Sequence, residues 1–174
     1  TLAGLPMGTR PGDLDPGAVL YLLMEKNLTP AELQHILYRE SGLLGRSGLS
    51  RNMRDLLAQQ DLHEAAEAIE FFCHHARRHL AAQTASLGGL DRLVFTGGIG
   101  ANSPEIRARI CEGLSYLGVE IDPERNAQNL PVVSTDRSRV PIDAFDTDEE
   151  SVIARHVRTV LESASGKGEL NACA

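Results

Sequence analysis

The apolar pattern of the first forty residues predicts two helices. Apolar residues recur at helical spacing after Asp15-Pro16 and again after Thr29-Pro30, and each pair is a typical helix start because proline is pre-shaped for the first helical position. Glu32, three residues after Thr29, adds the spacing of a capping box. We predict that the first helix runs to about Lys26 and that the second stops at Ser41-Gly42.

The next segment predicts a connection followed by one long helix. Gly42 to Gly48 is rich in glycine and reads as a loop, the kind of segment that often carries function, and SRNMRDLL predicts a short helix after it. From Leu62 to Leu87 the sequence is rich in alanine, and its apolar residues form one helical stripe that ends before Gly88. The inner face of this helix is predicted to carry Ile69, Phe72, Cys73, Ala76 and Leu80.

Short apolar runs in the second half predict strands between helices. Leu93-Val94-Phe95 reads as a strand buried on both faces, while Val119 with Ile121, Val132-Val133, and Val140 to Phe145 are further strand candidates. Helices are predicted to start at Ser103-Pro104, with Ser103 as the cap, and at Thr147. Helices followed by strands that alternate with helices predict an α/β domain with a small, partly parallel sheet.

The segment GGIGAN, between the strand at 93–95 and the helix at 104, has two open interpretations. Gly97, Gly98 and Gly100 lack a Cβ atom, so a flat ligand or a phosphate could approach the main chain beside free helix amides. Alternatively, the glycines simply turn a strand into a helix. The segment does not have the spacing of the dinucleotide fingerprint or of the Walker loop.

Composition narrows the class of partner. The 174 residues carry 17 basic and 24 acidic side chains, a net charge of -7, which disfavours nucleic acid or an anionic membrane surface as the main partner. Cys73, Cys111 and Cys173 are widely spaced and odd in number, which argues against a disulfide framework or a zinc site and fits a reducing cytoplasm. No apolar stretch approaches the length that spans a bilayer.

Arg10 lies in a turn-rich segment, MGTRPGDLDPG, and two roles stay open for it. A guanidinium held on a glycine-proline loop can clamp a phosphoryl group, because its fork matches two oxygens at once. The alternative is a surface arginine paired with Asp13 or Asp15.

Glu149 stands at the start of the last predicted helix. Thr147 and Glu150 have the spacing of a capping box, which leaves Glu149 unused by the cap. A spare carboxylate at a strand-to-helix junction can hold Mg²⁺ directly or through water. Stabilisation of the helix dipole is the alternative.

Five segments taken together resemble the C-terminal part of the acetate kinases: MGTRPGDLDP, ESGLLGRSGLSRNMRD, FTGGIGANSPEIR, LGVEIDPERN and DTDEE, in this order. The resemblance runs from about Leu5 to about Arg158. It implies an α/β fold, the C-terminal lobe of the actin, sugar kinase and Hsp70 type of ATPase fold (ribonuclease H-like) with the first strands missing. Residues 1–162 would form a nucleotide-binding and dimerisation domain, and residues 163–174 are expected to be a disordered tail.

The resemblance also implies the reaction and the roles of single residues. Acetate kinases transfer a phosphoryl group reversibly from ATP to acetate, with Mg²⁺, giving acetyl phosphate and ADP. By similarity, Arg10 contacts the transferring phosphoryl group, Glu149 associates with Mg²⁺, and the cytoplasmic enzyme is a homodimer through this half. The residues expected around the nucleotide are Asn52, Met53, Arg54, Gly97, Gly98, Ile99 and Asn102.

Departures from the family pattern leave some questions open. Asn52 stands where the family generally has Asp, so it can accept a ribose hydrogen bond without a charge, and Ala101 stands where the family generally has Glu, at an expected rim position. The family's N-terminal domain and most of its acyl pocket are not in this sequence. Acetate and propionate therefore both remain candidate substrates, a non-catalytic nucleotide-binding or dimerisation module remains the alternative, and the 174-residue chain alone is expected to be inactive.

Overall fold

A computed structural model describes residues 1–168, and the surroundings of the side chains through residue 163. The chain is mostly helical with two short strands. In order, the elements are α1 (Pro16–Met24), α2 (Pro30–His35) with a wider helical turn at Ile36–Glu40, α3 (Gly42–Ser47), α4 (Met53–Leu57), α5 (His63–Leu87), β1 (Leu93–Phe95), α6 (Gly97–Asn102), α7 (Pro104–Cys111), a 3₁₀ turn at Ser115–Leu117, α8 (Pro123–Ala127), β2 (Ile142–Ala144) and α9 (Glu149–Gly168).

The predicted starts of the first two helices are confirmed. The Asp15 carboxylate accepts a 2.8 Å hydrogen bond from the Gly17 amide, and Pro16 follows it at the first helical position. Thr29 and Glu32 form the reciprocal capping box, in which the Glu32 amide donates to the Thr29 hydroxyl and the Thr29 amide donates to the Glu32 carboxylate. These signals act within one turn of chain, so the local sequence is sufficient to predict them.

The predicted glycine-rich connection at 42–48 is wrong, because Gly42–Ser47 is the helix α3. Gly42 has φ 64°, which lets the chain turn sharply out of the preceding helix, and Leu43 is only 1% exposed. The amides of Leu43 and Leu44 donate to the carbonyls of Met7 and Gly8, both at 2.9 Å. The first turn of α3 therefore holds the segment that carries Arg10.

Helix α5 is the central element of the core. Its buried face packs against α3, α4 and α7, and Gly88 ends it with φ 75°, as predicted. Burial raises the pKa of Cys73 to about 11 and that of Cys111, on α7, to about 12, so both thiols stay protonated at neutral pH. The buried residues of α5 are Ala65, Ala68, Ile69, Phe72, Cys73, Ala76 and Thr84, with the predicted Leu80 half-buried beside them.

The sheet is parallel, as predicted, and consists of β1 and β2 in the register Leu93 to Ile142, Val94 to Asp143 and Phe95 to Ala144. Val94 is 44% exposed, so the prediction of a strand buried on both faces is wrong. Burial of both faces needs layers on both sides, and a two-stranded parallel sheet is rarely complete by itself. Among residues 1–168, the other strand candidates form only isolated bridges, Val119 to Val140, Ile121 to Ser134 and Val132 to Asp143.

The last helix, α9, runs through Gly168 and so extends into the segment 163–174 that was expected to be a tail. Extending an existing helix adds one hydrogen bond per ordered residue, which makes continuation easier than a new start. Residues 169–174 lie outside the described part. The apolar residues of α9 are exposed between 44% and 66%, namely Val152, Ile153, Val157, Val160 and Leu161. None of the described helices is long and apolar enough to cross a membrane.

Candidate functional site

Two neighbouring recesses bring together most of the predicted site residues. The first, which we call the α4–α6 recess, has a volume of about 460 Å³ and lies between α4 and α6. The second, the acidic recess, measures about 390 Å³ and lies where β2 leads into α9. Gly98 lines both, so the two recesses adjoin at the first turn of α6.

The α4–α6 recess is formed by two segments that are far apart in the sequence. From α4 and the residues before it come Arg51 to Asp55 and Leu57, and from α6 and its end come Gly98, Ile99, Asn102 and Ser103. Six of the seven residues predicted around the nucleotide therefore line one cavity. Gly97 lines the acidic recess beside Gly98.

Gly97 and Gly98, the first two residues of α6, have open space where a side chain would begin. A Cβ atom built on Gly97 or Gly98 would meet nothing within 4 Å, and Gly97 has φ 68°, which other residues rarely adopt. GGIGAN is helical rather than the predicted turn, and Ser103 does not cap α7 with its side chain. The Ser103 amide donates to the Ile99 carbonyl at 3.0 Å, so Ser103 ends one helix where it begins the next.

Around α4, the polar side chains are held in a small network. The Asn52 side-chain amide donates to Asp55 at 3.2 Å, and the Ser50 hydroxyl donates to the same carboxylate oxygen at 2.7 Å. The Ser50 and Asn52 hydrogen bonds lower the pKa of Asp55. With its amide nitrogen used, Asn52 presents its carbonyl oxygen as a remaining acceptor. Met53 is 5% exposed and joins the core beneath the recess.

The predicted capping box of Thr147 with Glu150 is wrong. Asp148, not Thr147, caps α9, because its carboxylate accepts a 3.0 Å hydrogen bond from the Ser151 amide. Glu149 and Glu150 therefore both lie outside the cap, in the first turn of the helix. Asp146 accepts a 3.1 Å hydrogen bond from the Asn102 side chain and so joins the two recesses.

The acidic recess offers oxygen ligands, which suit Mg²⁺. Carboxylates from Asp146, Glu149 and Glu150 line it beside the two glycines of α6. Within residues 1–168, however, no group of three or more His, Cys, Asp or Glu side chains could hold a metal ion alone. This chemistry fits a magnesium ion that keeps several waters and takes further oxygens from a bound phosphate.

Arg10 does not share a cavity with the residues that are predicted to surround the nucleotide. It lines a separate polar recess of about 430 Å³ with Thr9, His35, Tyr38 and Arg39, and its guanidinium lies 5.4 Å from the centre of the Tyr38 ring. The alternative of a pair with Asp13 or Asp15 is not what the structure shows. Asp13 instead contacts His79 at 3.1 Å, and Asp15 caps α1.

Sequence reasoning missed the polar partners of the predicted residues. Asp55 follows Asn52 by three residues, the spacing that allows a side-chain contact across one helical turn, so its role could have been inferred. Asp146 lies 44 residues from Asn102, and nothing in either local segment signals their contact. Arg51 and Ser103 also line the α4–α6 recess, but Arg51 carries no distinguishing pattern and Ser103 was predicted only as a helix cap.

Comparison with known proteins identifies the family of the chain. A family profile described as the acetokinase family matches residues 1–155. The chain belongs to the acetokinase family. The fold is accordingly the α/β fold of that family, of which this chain has a part, mostly helices and a small parallel sheet.

Curated and solved acetokinases resemble the chain over most of its length. An acetate kinase of Methylocella silvestris is 52% identical over 161 residues, which cover 92% of this chain and 40% of that protein. The crystal structure of Porphyromonas gingivalis acetate kinase superposes with a TM-score of 0.84 at 32% identity, covering 92% of this chain and 41% of the other. For a propionate kinase of Francisella tularensis the TM-score is 0.79 and the identity 36%, with 86% and 39% covered. The chain thus spans about two-fifths of the length of the relatives that it matches.

Proposed function

We propose that this acetokinase chain supplies the nucleotide side of a cleft in which a phosphoryl group passes reversibly between ATP and acetate. The observation that carries the proposal is the pair of recesses that adjoin at Gly98, one lined by Asn52, Arg54 and Ile99 and the other by carboxylates. A nucleoside needs a slot with polar edges, and its phosphates need a neighbouring place for a cation. Residues 1–162 are proposed as the domain that provides both.

The proposal is tested with a full-length enzyme, meaning a polypeptide in which this chain follows the N-terminal part of the Methylocella silvestris relative. We expect it to form acetyl phosphate from ATP and acetate, while the 174-residue chain alone binds ADP without turnover, because phosphoryl transfer needs positioned groups from both walls of a cleft. Trapping acetyl phosphate with hydroxylamine and titrating ADP measure both. Turnover by the chain alone would contradict the need for groups from both walls of the cleft, and a full-length enzyme that does not bind ADP would contradict the proposed function.

We assign the adenosine of the nucleotide to the α4–α6 recess. Ile99 and the buried Met53 give it an apolar floor, and the carbonyl oxygen of Asn52 can accept a hydrogen bond from a ribose hydroxyl. The guanidinium of Arg54 lines the same recess and carries a positive charge toward an anionic ligand. The phosphates would then extend past Gly98 and Gly97 toward the acidic recess.

Replacing Gly98 by valine in the full-length enzyme is expected to weaken ADP binding by about tenfold or more. The added side chain would enter the open space where both recesses meet, yet a Cβ atom there touches nothing within 4 Å. The thermal midpoint should therefore move little. Ala108→Val is the matched control, because Ala108 is exposed on α7 outside both recesses. ADP affinity is measured by titration calorimetry. If Gly98→Val and Ala108→Val bind ADP equally well, Gly98 does not belong to the binding site.

Glu149 is assigned to Mg²⁺. It lies in the acidic recess outside the cap that Asp148 provides, so its carboxylate is not required to satisfy helix amides. When bound, the ion would neutralise charge on the phosphates, and Glu149 would hold it directly or through water. The hydrogen bond that Asn102 donates fixes the position of the Asp146 carboxylate. This carboxylate can orient water molecules that are bound to the ion.

Changing Glu149 to glutamine is expected to raise the Mg²⁺ concentration needed for half-maximal activity by about tenfold to a hundredfold, the usual cost of weakening a metal site. Glutamine keeps the size and one oxygen but removes the charge that Mg²⁺ prefers. The control is Glu162→Gln, an exposed glutamate on the same helix that does not line the acidic recess. Activity is measured against Mg²⁺ at saturating ATP and acetate. If Glu149→Gln needs no more Mg²⁺ than Glu162→Gln does, Glu149 serves only the helix dipole.

Arg10 is proposed to contact the transferring phosphoryl group, from a recess apart from the two that are assigned to the nucleotide and to Mg²⁺. Asp13 and Asp15 are engaged elsewhere, so in the described residues its guanidinium is not matched by either neighbouring carboxylate. A planar fork of N–H groups can meet two phosphoryl oxygens at once. Its recess already contains the ring of Tyr38, which limits how the guanidinium can turn.

Propionate is the second candidate acyl substrate, because a solved propionate kinase superposes on this chain with a TM-score of 0.79. The recesses described above serve the nucleotide and do not separate the two acids. Comparing kcat/KM for acetate and propionate decides between them, provided that the N-terminal part comes from the same protein as this chain.

A homodimer through this half is proposed for the full-length enzyme. Helix α1 has no buried residue, and Leu20, Tyr21 and Met24 are exposed at 57%, 49% and 69%. Exposed apolar side chains gathered on one helix are typical of an interaction surface. Sedimentation equilibrium that shows a monomer at micromolar concentration would contradict the dimer.

A further inference from the structure

The strongest feature outside the assigned roles is a buried arginine in α7. Arg107 has no exposed surface. Burial lowers its pKa, as expected for a charge taken out of water. Such a charge is stable in a protein only when its N–H groups are satisfied by good acceptors.

All five N–H groups of the Arg107 guanidinium have acceptors, and every acceptor is neutral. Nε donates to Asn126 Oδ1 at 2.7 Å, and Nη2 donates to the Asn126 carbonyl at 3.0 Å and to Asn129 Oδ1 at 2.7 Å. Nη1 donates to the carbonyls of Gly100 at 2.9 Å and Ala101 at 2.7 Å. Ala101, expected at a rim, is only 7% exposed, because its backbone belongs to this buried network.

The last two contacts join Arg107 to the segment assigned to the nucleotide. Gly100 and Ala101 lie in α6 between Ile99 and Asn102, which both line the α4–α6 recess. If the helix continued, the Gly100 carbonyl would accept from the amide of residue 104, but residue 104 is proline and has no N–H. The guanidinium supplies the donor that Pro104 lacks, and it also satisfies the Ala101 carbonyl.

The other end of the network fixes the guanidinium itself. Asn126 is 5% exposed, and its side-chain amide donates to the Pro104 carbonyl at 2.8 Å. The α8 region, the start of α7 and the end of α6 are therefore joined through one side chain. A displacement of Arg107 would let the end of α6 move relative to α4, and these two segments form the opposite sides of the recess.

We infer that Arg107 is a positioning residue for the nucleotide, which sets the distance between α6 and α4 by holding the Gly100 and Ala101 carbonyls. The inference rests on the proposed function, since it assigns the nucleotide to the α4–α6 recess. Arg107 acts through the backbone of α6 and does not contact the ligand.

The test compares Arg107→Lys with Arg77→Lys in the full-length enzyme. Lysine keeps the charge but has three N–H groups in place of five, so it cannot hold both carbonyls of α6 and both asparagines. Arg77 is a matched control, because it also donates to carbonyls at a helix end, those of Arg109 at 2.6 Å and Ile110 at 3.4 Å, away from the recess. Both variants are expected to lower the thermal midpoint.

The readouts are the dissociation constant of ADP and the KM values for ATP and acetate, measured where each variant is fully folded. Arg107→Lys is expected to raise the ADP constant and the KM for ATP by about tenfold, with the KM for acetate within twofold. Arg77→Lys should leave all three within twofold. A merely structural role for Arg107 would lower the midpoint without this split, and an unchanged ADP constant overturns the inference.

A second variant covers the case in which Arg107→Lys does not fold. Asn129→Gly removes the acceptor of one Nη2 bond, so the guanidinium is held less firmly, and glycine suits the positive φ of 50° at this position. It is expected to raise the ADP constant by about threefold, and an unchanged constant then overturns the inference. If the unmodified enzyme itself fails to bind ADP, the proposed function fails instead, so the two failures are distinct.

Discussion

Replacing Arg10 by lysine in the full-length enzyme is expected to lower kcat by about a hundredfold to a thousandfold, which corresponds to roughly 3 to 4 kcal/mol of lost transition-state stabilisation. Charge spreads over the oxygens of the phosphoryl group as it transfers, and an arginine meets two of them with parallel N–H groups. Lysine offers one compact ammonium that cannot reproduce this fork. ADP affinity should change little, because Arg10 lines a different recess from the residues proposed to bind the nucleotide.

Steady-state kinetics and ADP titration of this variant measure the two quantities separately. Arg39→Lys is the matched control, because Arg39 lines the same polar recess and should change kcat by no more than a few-fold. If Arg10→Lys keeps kcat within a few-fold of the unmodified enzyme, Arg10 does not contact the transferring group. If ADP affinity falls in step with kcat, Arg10 positions the nucleotide instead.

Local signals in the sequence were sufficient where the structure depends on one turn of chain. The proline starts of α1, α2 and α7 and the capping box of Thr29 with Glu32 are all confirmed, since each involves residues within a few positions. The cap of α9 could not be predicted from local signals in the same way. Thr147 and Asp148 are both good caps, and which one is used depends on how the chain leaves β2.

Tertiary contacts decide what the local pattern left open. Glycines at 42 and 97 predict a loop and a turn, yet both begin short helices, because a glycine with positive φ can redirect the chain at a helix start. The exposure of Val94 depends on which layers cover the sheet, and the sequence of one strand does not contain that information. Composition and periodicity therefore predicted the α/β class, and contacts distant in sequence set the detail.

The candidate site was predictable only through the family resemblance. Local reasoning could not have placed Asn52 and Ile99 in one cavity, because 47 positions separate them and each segment is unremarkable by itself. Arg107 was missed for a related reason. An arginine within a helix reads as a solvent-facing residue, and only the structure shows that its guanidinium is buried among five neutral acceptors.

The segment that carries Arg10 depends on a close backbone approach at Gly42, so Gly42→Ala is expected to be the most destabilising of these substitutions. A Cβ atom at Gly42 would lie 2.0 Å from the Met7 carbonyl oxygen and 2.6 Å from that of Arg10. Its φ of 64° adds about 1 to 2 kcal/mol of backbone strain for any residue with a side chain. We expect a total loss of about 4 kcal/mol or more in the free energy of unfolding.

Gly48→Ala separates the backbone strain from the steric clash. Gly48 has φ 65° at the other end of α3, and a Cβ atom there meets nothing within 4 Å. It should show the strain alone, about 1 to 2 kcal/mol. Thermal and urea unfolding of both variants give the comparison, and kcat adds a second readout. Relief of the clash requires Met7 to move, which breaks its 2.9 Å hydrogen bond from the Leu43 amide and displaces Arg10, so Gly42→Ala should lower kcat even where the protein is folded. Equal losses of stability in the two variants would mean that the segment with Arg10 can move away from the new Cβ atom at no cost. An unchanged kcat would mean that the position of this segment against α3 does not matter for catalysis.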